Sequence, residues 1–341
     1  MCKQKTTMLA TFLSLLLLAA IGCSCGNSSK TANDGSNNIT REDTLRLGNF
    51  NADSAYSYIA EQVAFGPRVP GTPEHDACRD WLVNKLKQLG IDSVFVQNAT
   101  VTASNGDVLP ISNIIGGIYT NRPKRIVIAA HWDTRPWADQ ETSADKRAMP
   151  ILGANDGGSG VAVILELVRN LAQVRPNIGV DFILFDAEDY GDSGGFNTND
   201  QSWCLGSQYW ARNVVPYRAD NLPEYGIVLD MVGGRNAKFN YEAYSAQKAP
   251  TPTIKVWSEA ERLGYGNIFD RTIGGAIVDD HVSMNRAGIP TTDVIELNNH
   301  ETGSFPPTWH TLEDNLDNID KNTLRAVGET ILNVIYKEKS F

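Results

Sequence analysis

Apolar segments of strand length alternate with segments of helical periodicity along most of this chain. Runs of apolar residues predict strands at 93–97, 111–119, 125–130, 180–185, 227–232 and 291–295. Helical periodicity predicts helices at 50–64, 74–90, 160–171, 206–212, 252–263 and 321–336. The segment 65–73 contains three prolines and two glycines, so it predicts a loop between the first two helices.

This alternation predicts an α/β fold with helices on both faces of a mixed, mostly parallel sheet. No linker interrupts the pattern, so residues 46–341 are expected to form a single globular domain, an α/β/α sandwich. Two long polar stretches, 132–150 and 190–203, are expected to be surface loops near a site.

The amino terminus has the pattern of an export signal. Lys3 and Lys5 precede an apolar run, 8–21, that is short for a membrane span. Small residues stand directly before Cys23, as in a bacterial lipoprotein signal, which predicts removal of residues 1–22 and lipidation of Cys23. An ordinary cleaved signal is the alternative. We expect an exported protein of the cell envelope, in the periplasm or anchored to a membrane only through the lipid.

Residues 23–45 are rich in Ser, Asn, Gly and Thr and are expected to form a flexible tether. The 341 residues carry 30 Lys and Arg against 40 Asp and Glu, a formal net charge of −10. This balance argues against nucleic acid as a partner. Cys78 and Cys204 could pair in an oxidising compartment or remain two buried thiols, and we expect the second case. The sequence indicates no oligomeric state.

Residues with metal-binding side chains follow several predicted strands. His131 follows the strand at 125–130, Glu188 and Asp189 follow 180–185, and Asp230 lies near the end of 227–232. Asp156 stands in a glycine-rich segment ahead of a helix. Ligands of open α/β sheets gather at the carboxyl ends of the strands. We therefore expect these side chains to lie close together.

With the late residue His310, this set could supply a catalytic zinc ion with its three protein ligands. Neighbouring residues of an extended segment point in opposite directions. Glu188 and Asp189 could therefore divide between metal binding and general acid–base catalysis. Taken singly, Asp156 could be a helix N-cap and the Glu188–Asp189 pair could belong to a solvated loop.

Six motifs make the chain resemble the zinc-dependent aminopeptidases of the M28 type. They are AHWD at 130–133, GANDGGSG at 153–160, FDAED at 185–189, VLDM at 228–231, DDH at 279–281 and WHTLEDN at 309–315. Within that superfamily, RVPG at 68–71, the double acid of DDH and FPPTWH at 305–310 resemble the zinc-type glutaminyl-peptide cyclotransferases.

The resemblance implies a role for each matching position. Asp156, Asp189 and His310 would bind one zinc ion, and Glu188 would be the proton shuttle. The remaining positions would hold and enclose the substrate: Asp230 and Asp279 for its amine and the acid network, and Trp309, Phe305 and Trp203 for the pocket. Two positions depart from the family pattern: Asp189, where Glu is usual, and Asp293, where the animal enzymes carry His.

The implied activity is cyclisation of the N-terminal glutamine of peptides or proteins to pyroglutamate, with release of ammonia. The alternative is an aminopeptidase with two zinc ions, in which Asp156 bridges the metals and His131 and Asp230 bind the second. All five of those ligand positions are present. A third hypothesis is a lipoprotein that binds peptides or glycans without catalysis.

Overall fold

The fold is built around a six-stranded mixed sheet. The computed structural model describes residues 47–192 and 200–340. The strands of the described residues, in chain order, are β1 Ser93–Thr102, β2 Val108–Ile118, β3 Arg125–His131, β4 Gly179–Phe185, β5 Gly226–Asp230, β6 Phe239–Tyr241, β7 Phe269–Ile273 and β8 Thr291–Ile295. The sheet order is β1-β2-β4-β3-β5-β8. Strands β4, β3, β5 and β8 are parallel, whereas β1 and β2 are antiparallel to their neighbours.

Helices cover both faces of this sheet. They are α1 Ala52–Val63, α2 Pro73–Leu89, α3 Ala144–Arg147, α4 Gly158–Gln173, α5 Leu205–Arg212, α6 Ala243–Lys248, α7 Pro250–Arg262, α8 Asp280–Arg286 and α9 Lys321–Lys337. Residues of β3 alternate between the faces: Ile126 and Ile128 join the core formed with α4 and α9, and Val127 joins the core formed with α5 and α8. The predicted single-domain α/β/α architecture is confirmed.

Burial explains which strands the sequence reveals clearly. Every residue of β4 is buried, as expected for a central strand covered on both faces. Edge strand β1 alternates between partly buried and exposed residues. The polar residues of its second half conceal that it continues to Thr102, five residues beyond the predicted end at Gln97.

The sequence pattern missed five short elements: α3, α6, α8, β6 and β7. The last two form a separate two-stranded parallel sheet. None of the five exceeds seven residues, so each is too short to show a clear period. The prediction that 132–150 is a surface loop is wrong for its first part, because residues 132–135 are all buried.

The export signal at 1–22, the lipidation site Cys23 and the tether at 23–45 lie outside the described residues. Among the residues that are described, no helix has both the length and the apolar character needed to cross a membrane. Cys78 and Cys204 are both buried and free, as expected.

Candidate active site

The parallel strands bring four chemically active residues to one edge of the sheet. His131 is the last residue of β3, Asp230 is the last residue of β5, and Glu188 and Asp189 follow β4. Asp156 lies just before α4, whose amino end packs against the same edge: a side chain at Gly160 would touch the backbone of β5. The clustering predicted from the sequence is confirmed.

Asp156, Asp189 and His310 form one group of buried ligand atoms, all within 4.8 Å of one another. Nε2 of His310 lies 3.1 Å from Oδ1 of Asp189 and 3.7 Å from Oδ2 of Asp156. The first and last of these residues are 154 positions apart in the sequence, and the fold brings all three together.

A second group shares Asp156 with the first. It contains His131, Asp156 and Asp230, again within 4.8 Å of one another. Nε2 of His131 lies 2.9 Å from Oδ1 of Asp156 and 3.2 Å from Oδ1 of Asp230. The set of five metal-binding side chains noted in the sequence is therefore present in space.

Glu188 lies beside both groups and belongs to neither. Its carboxylate is grouped with the side chains of Cys204 and Asp279. Sγ of Cys204 donates a hydrogen bond to Oε1 of Glu188 at 3.2 Å. The backbone N–H of Cys204 also donates to the carbonyl oxygen of Glu188 at 2.9 Å, so this segment fixes both ends of the glutamate.

These side chains open into a cavity of about 400 Å³. Its lining contains nine of the ten residues named for catalysis, metal binding or substrate binding: Asp156, Glu188, Asp189, Trp203, Asp230, Asp279, Phe305, Trp309 and His310. The tenth, His131, is 1% exposed and lies behind Asp156 and Asp230. The indole of Trp309 stacks on the His310 ring at 3.7 Å, and Phe305 packs against Trp309 at 4.6 Å.

Two buried aspartates fix the backbone of the site. The carboxylate of Asp133 accepts hydrogen bonds from the N–H groups of Glu188 and Asp189, both at 3.1 Å. Asp314 accepts from the N–H groups of Asn155 and Asp156, at 2.7 and 3.0 Å. Each aspartate thus holds a segment that carries a candidate metal ligand.

Left-handed backbone conformations occur at three positions in or beside this chemistry: Ala187 with φ +50°, Met231 with φ +48° and His310 with φ +53°. Non-glycine residues rarely adopt such angles, and they cost energy that the surrounding structure must supply. Two of these residues closely follow the ends of β4 and β5, and the third is the candidate ligand His310, so each of them lines the cavity or precedes a residue that does.

Burial among like charges raises the pKa of several carboxyl groups. Burial, with the nearby carboxylates of Asp279 and Asp189, raises the pKa of Glu188 well above its usual range despite the opposing effect of His131. Burial and Asp156 raise the pKa of Asp230 to about 7. A bound cation acts in the opposite direction on each of these groups.

The residues present fit a zinc ion. Zinc binds carboxylate oxygens and imidazole nitrogens, and a catalytic zinc ion takes three protein ligands and keeps one position open. Oδ2 of Asp189 is buried and has no hydrogen-bond partner among the described residues. A buried carboxylate oxygen left in this state is costly unless it binds a cation.

The sequence analysis missed several residues that shape the site. Asp133 and Asp314 stand inside the quoted motifs, but their role depends on which backbone N–H groups they meet. Cys204 directly follows the predicted wall residue Trp203. Arg135 and Asp139 belong to the stretch predicted as a surface loop, yet Arg135 is fully buried beside Asp189.

Several known proteins are similar to this chain. The model of peptidase family M28 matches residues 113–335. The glutaminyl cyclase of Bacteroides thetaiotaomicron, solved with bound N-acetylhistamine, is 50% identical; the match covers 85% of this chain and 99% of that chain, with a TM-score of 0.81. A Zn-dependent exopeptidase from Parabacteroides distasonis is 47% identical over 85% of this chain and 99% of that chain, with a TM-score of 0.81.

The glutaminyl-peptide cyclotransferase of Bos taurus is 25% identical over 299 residues, which is 77% of this chain and 76% of that protein. The family match spans more than half of the chain, and the similarity to the bacterial structures covers nearly their whole length. The chain therefore belongs to peptidase family M28, in the part of that family that includes bacterial glutaminyl cyclases.

Proposed function

We propose that this protein is a zinc-dependent glutaminyl cyclase that converts the N-terminal glutamine of peptides or proteins to pyroglutamate and releases ammonia. The position of Glu188 carries the proposed acid–base role, and the similarity to bacterial glutaminyl cyclases favours the cyclase over a peptidase. The Glu188 side chain lines the same cavity as Asp156, Asp189 and His310. Its carboxylate, however, lies next to the side chains of Cys204 and Asp279 and outside that ligand group. The 50% identity to a bacterial glutaminyl cyclase supports the same activity.

The cavity suits an N-terminal glutamine. Asp230 and Asp279 present carboxylates that can hold the substrate's α-amine. Trp309, Phe305 and Trp203 supply aromatic surface against which the aliphatic part of the glutamine side chain packs while water is excluded. Ordering the amine and the γ-carboxamide in one cavity favours closure of a five-membered ring, because the attack is intramolecular.

Glu188 moves the proton that this reaction requires. The α-amine nitrogen forms a bond to the γ-carboxamide carbon, and the bond from that carbon to the amide nitrogen breaks. Glu188 accepts the proton that the amine loses and delivers it to the departing nitrogen, which leaves as ammonia. Cys204 keeps the carboxylate in place through its hydrogen bond.

Asp156, Asp189 and His310 would hold the single zinc ion of this mechanism. The ion, when bound, supplies Lewis-acid polarisation of the γ-carboxamide oxygen.

The second candidate function is an aminopeptidase, favoured by the group of His131, Asp156 and Asp230. With a second metal ion in that group, the same cavity would suit hydrolysis of the first peptide bond, and Glu188 would act as general base. The Zn-dependent exopeptidase relative is consistent with this chemistry.

Incubating the purified protein with a glutamine-initiated dipeptide tests the proposal. Ammonia release and loss of one ammonia from the mass of the intact dipeptide are expected, and a chelator should stop both. An N-acetylated dipeptide is the matched control, since it lacks the attacking amine and should not react. Release of free amino acids without ammonia would reject the cyclase and support the aminopeptidase.

We also propose that the protein is exported and anchored in the cell envelope by a lipid on Cys23. The charged and apolar pattern of residues 1–22 and the small residues before Cys23 support this. Expression in a bacterial host with a radiolabelled fatty acid should label the wild type but not the Cys23→Ala variant. Equal membrane fractionation and equal labelling of both proteins would reject the anchor.

A further inference from the structure

One buried arginine contacts a proposed metal ligand and also a residue that lies beside a second proposed ligand. Arg135 is fully buried, and its guanidinium donates hydrogen bonds to Asp139, Asp189 and Gly191. Nε and Nη2 donate to the two carboxylate oxygens of Asp139, at 3.0 and 2.7 Å. Nη1 donates to the carbonyl oxygen and to Oδ1 of Asp189, both at 3.2 Å, and Nη2 donates to the carbonyl oxygen of Gly191 at 3.2 Å.

Two aromatic rings lie close to this guanidinium. Its central carbon lies 5.1 Å from the ring of Trp137 and 4.8 Å from the ring of Trp203. Gly191 makes room for the second indole, since a Cβ atom there would lie 2.0 Å from the Trp203 ring. A buried charge is costly unless partners satisfy it, and here a bidentate carboxylate, a second carboxylate and two aromatic rings do so.

Asp139 extends the network to His310. Its Oδ1 lies 3.1 Å from Nδ1 of His310. The negative charge of this carboxylate lies close to Nδ1, although the two atoms are not aligned for a hydrogen bond, and it favours the proton on that nitrogen, which leaves Nε2 as the lone-pair donor. Nε2 is the nitrogen that faces Asp189 and Asp156.

The same arginine acts directly on Asp189. It holds Oδ1 at 3.2 Å, whereas Oδ2 remains without a hydrogen-bond partner among the described residues. Asp189 stands where the resemblance expects the longer Glu, so its carboxylate has fewer torsions with which to reach a metal. Because hydrogen bonds hold both the backbone and Oδ1 of Asp189, they also determine the direction in which Oδ2 points.

We infer that Arg135 and Asp139 are positioning residues for the metal site, which orient the Asp189 carboxylate and the His310 imidazole for a zinc ion. The inference rests on the ligand set of the proposed function, but not on whether the enzyme cyclises glutamine or hydrolyses peptides. Groups that orient metal ligands typically contribute about 10- to 100-fold to metal affinity.

Zinc affinity of the folded apoprotein, measured by competition with a chromogenic chelator, tests this inference. Arg135→Met and Asp139→Asn should each bind zinc about 10- to 100-fold more weakly than the wild type. Arg135→Lys should also bind zinc more weakly than the wild type, because lysine keeps the charge but lacks the planar guanidinium that forms paired hydrogen bonds. Arg125→Met is the matched control: it breaks the Arg125–Asp181 ion pair at the other end of β3 and should bind zinc like the wild type.

Thermal unfolding of each apoprotein separates positioning from folding. Lower thermal stability with unchanged zinc affinity in both Arg135→Met and Asp139→Asn would overturn the inference and leave a structural role alone. If Arg135→Met does not fold, Asp139→Asn decides the outcome, since it preserves side-chain shape and its residue is 17% exposed. If the variants bind zinc more weakly but the wild type releases no ammonia, the inference is upheld and the proposed cyclase is rejected.

Discussion

Glu188 combines a buried carboxyl group, a thiol donor and two neighbouring acids at one position. Burial, with the carboxylates of Asp279 and Asp189, raises its pKa well above the usual range, which is the direction that a group needs in order to accept and then deliver a proton. Because Glu188 is not one of the proposed metal ligands, a substitution there can change proton transfer without changing metal binding.

Replacing Glu188 by Gln should therefore lower kcat about 10²- to 10⁴-fold while bound zinc is retained, because the amide keeps the size of the side chain but cannot shuttle the proton. Steady-state ammonia release and zinc content measure the two effects. Glu166→Gln, a buried glutamate of α4 paired with Arg169, is the control and should keep the wild-type kcat. Undiminished turnover in Glu188→Gln would show that another residue moves the proton.

Glu296 gives the molecule a pH-dependent stability. Its side chain is buried, with Oε1 accepting from Asn299 at 2.7 Å and Oε2 unpaired among the described residues. Burial raises its pKa from 4.5 to about 7. Between these values the folded state holds a proton that the unfolded state has released, so the contribution of Glu296 to stability is fully present below pH 4.5 and is lost as pH rises through 7.

Chemical denaturation at pH 5 and pH 8 measures this loss. Glu296→Gln mimics the protonated group, so its free energy of unfolding should fall less than that of the wild type, by up to roughly 3 kcal/mol. The exposed Glu301→Gln is the control and should follow the wild type. Equal losses in Glu296→Gln and the wild type would mean that Glu296 is ionised in the folded protein at pH 5.

Several residues of the candidate site could be found from the sequence, because Glu188, Asp189 and Asp230 have acidic side chains and closely follow or end recognisable strands. Arg135 and Asp139 could not, because their importance comes from the ligands that they meet in space. The polar sequence around them predicts an exposed loop, and only the structure shows the aromatic rings that lie against Arg135.

At the scale of elements, long strands and helices were predictable because burial repeats along them. Strands β3, β4 and β5 are mostly apolar and almost wholly buried, and α9 shows a clear buried face. The short helix α8 is different. It begins inside the polar DDH motif, where Asp279 accepts a hydrogen bond from the N–H of Asp280, and its boundaries depend on that local contact.

Helix α9 contains a glycine whose replacement should destabilise the protein. Glycine to alanine inside a helix normally gains up to about 1 kcal/mol. At Gly328, however, a Cβ atom would lie 2.1 Å from the ring of Phe50 in the core. Gly328→Ala should therefore lower the free energy of unfolding by about 1–3 kcal/mol, as overpacking does.

Chemical denaturation of Gly328→Ala tests this packing, and the double variant Gly328→Ala with Phe50→Leu is the control. The smaller side chain at position 50 should reduce the penalty of the alanine relative to Phe50→Leu alone. A gain in stability for Gly328→Ala in the wild-type background would contradict the close contact between α9 and Phe50.

At the scale of the whole molecule, the proposed metal connects segments that are distant in sequence. Asp156 precedes α4, Asp189 follows β4 and His310 lies in the loop before α9. Removing the ion should leave these buried groups facing one another without a cation. Chelation should therefore lower the thermal unfolding midpoint; zinc at 100 times its Kd stabilises by about 2.7 kcal/mol.

Differential scanning calorimetry with and without chelator measures the effect, and added zinc should reverse it. The His310→Ala variant lacks one proposed ligand, so its midpoint should respond much less to the chelator. An equal response in His310→Ala would place the stabilising metal elsewhere.

Titration of the metal-free enzyme with zinc, with ammonia release from a glutamine-initiated dipeptide followed at each addition, tests the central claim most directly. A single catalytic zinc beside Glu188 predicts that ammonia release rises linearly and reaches its maximum at one zinc per chain, with no free amino acids formed. A rise that continues to two zinc ions per chain, with free amino acids as the products, would contradict it.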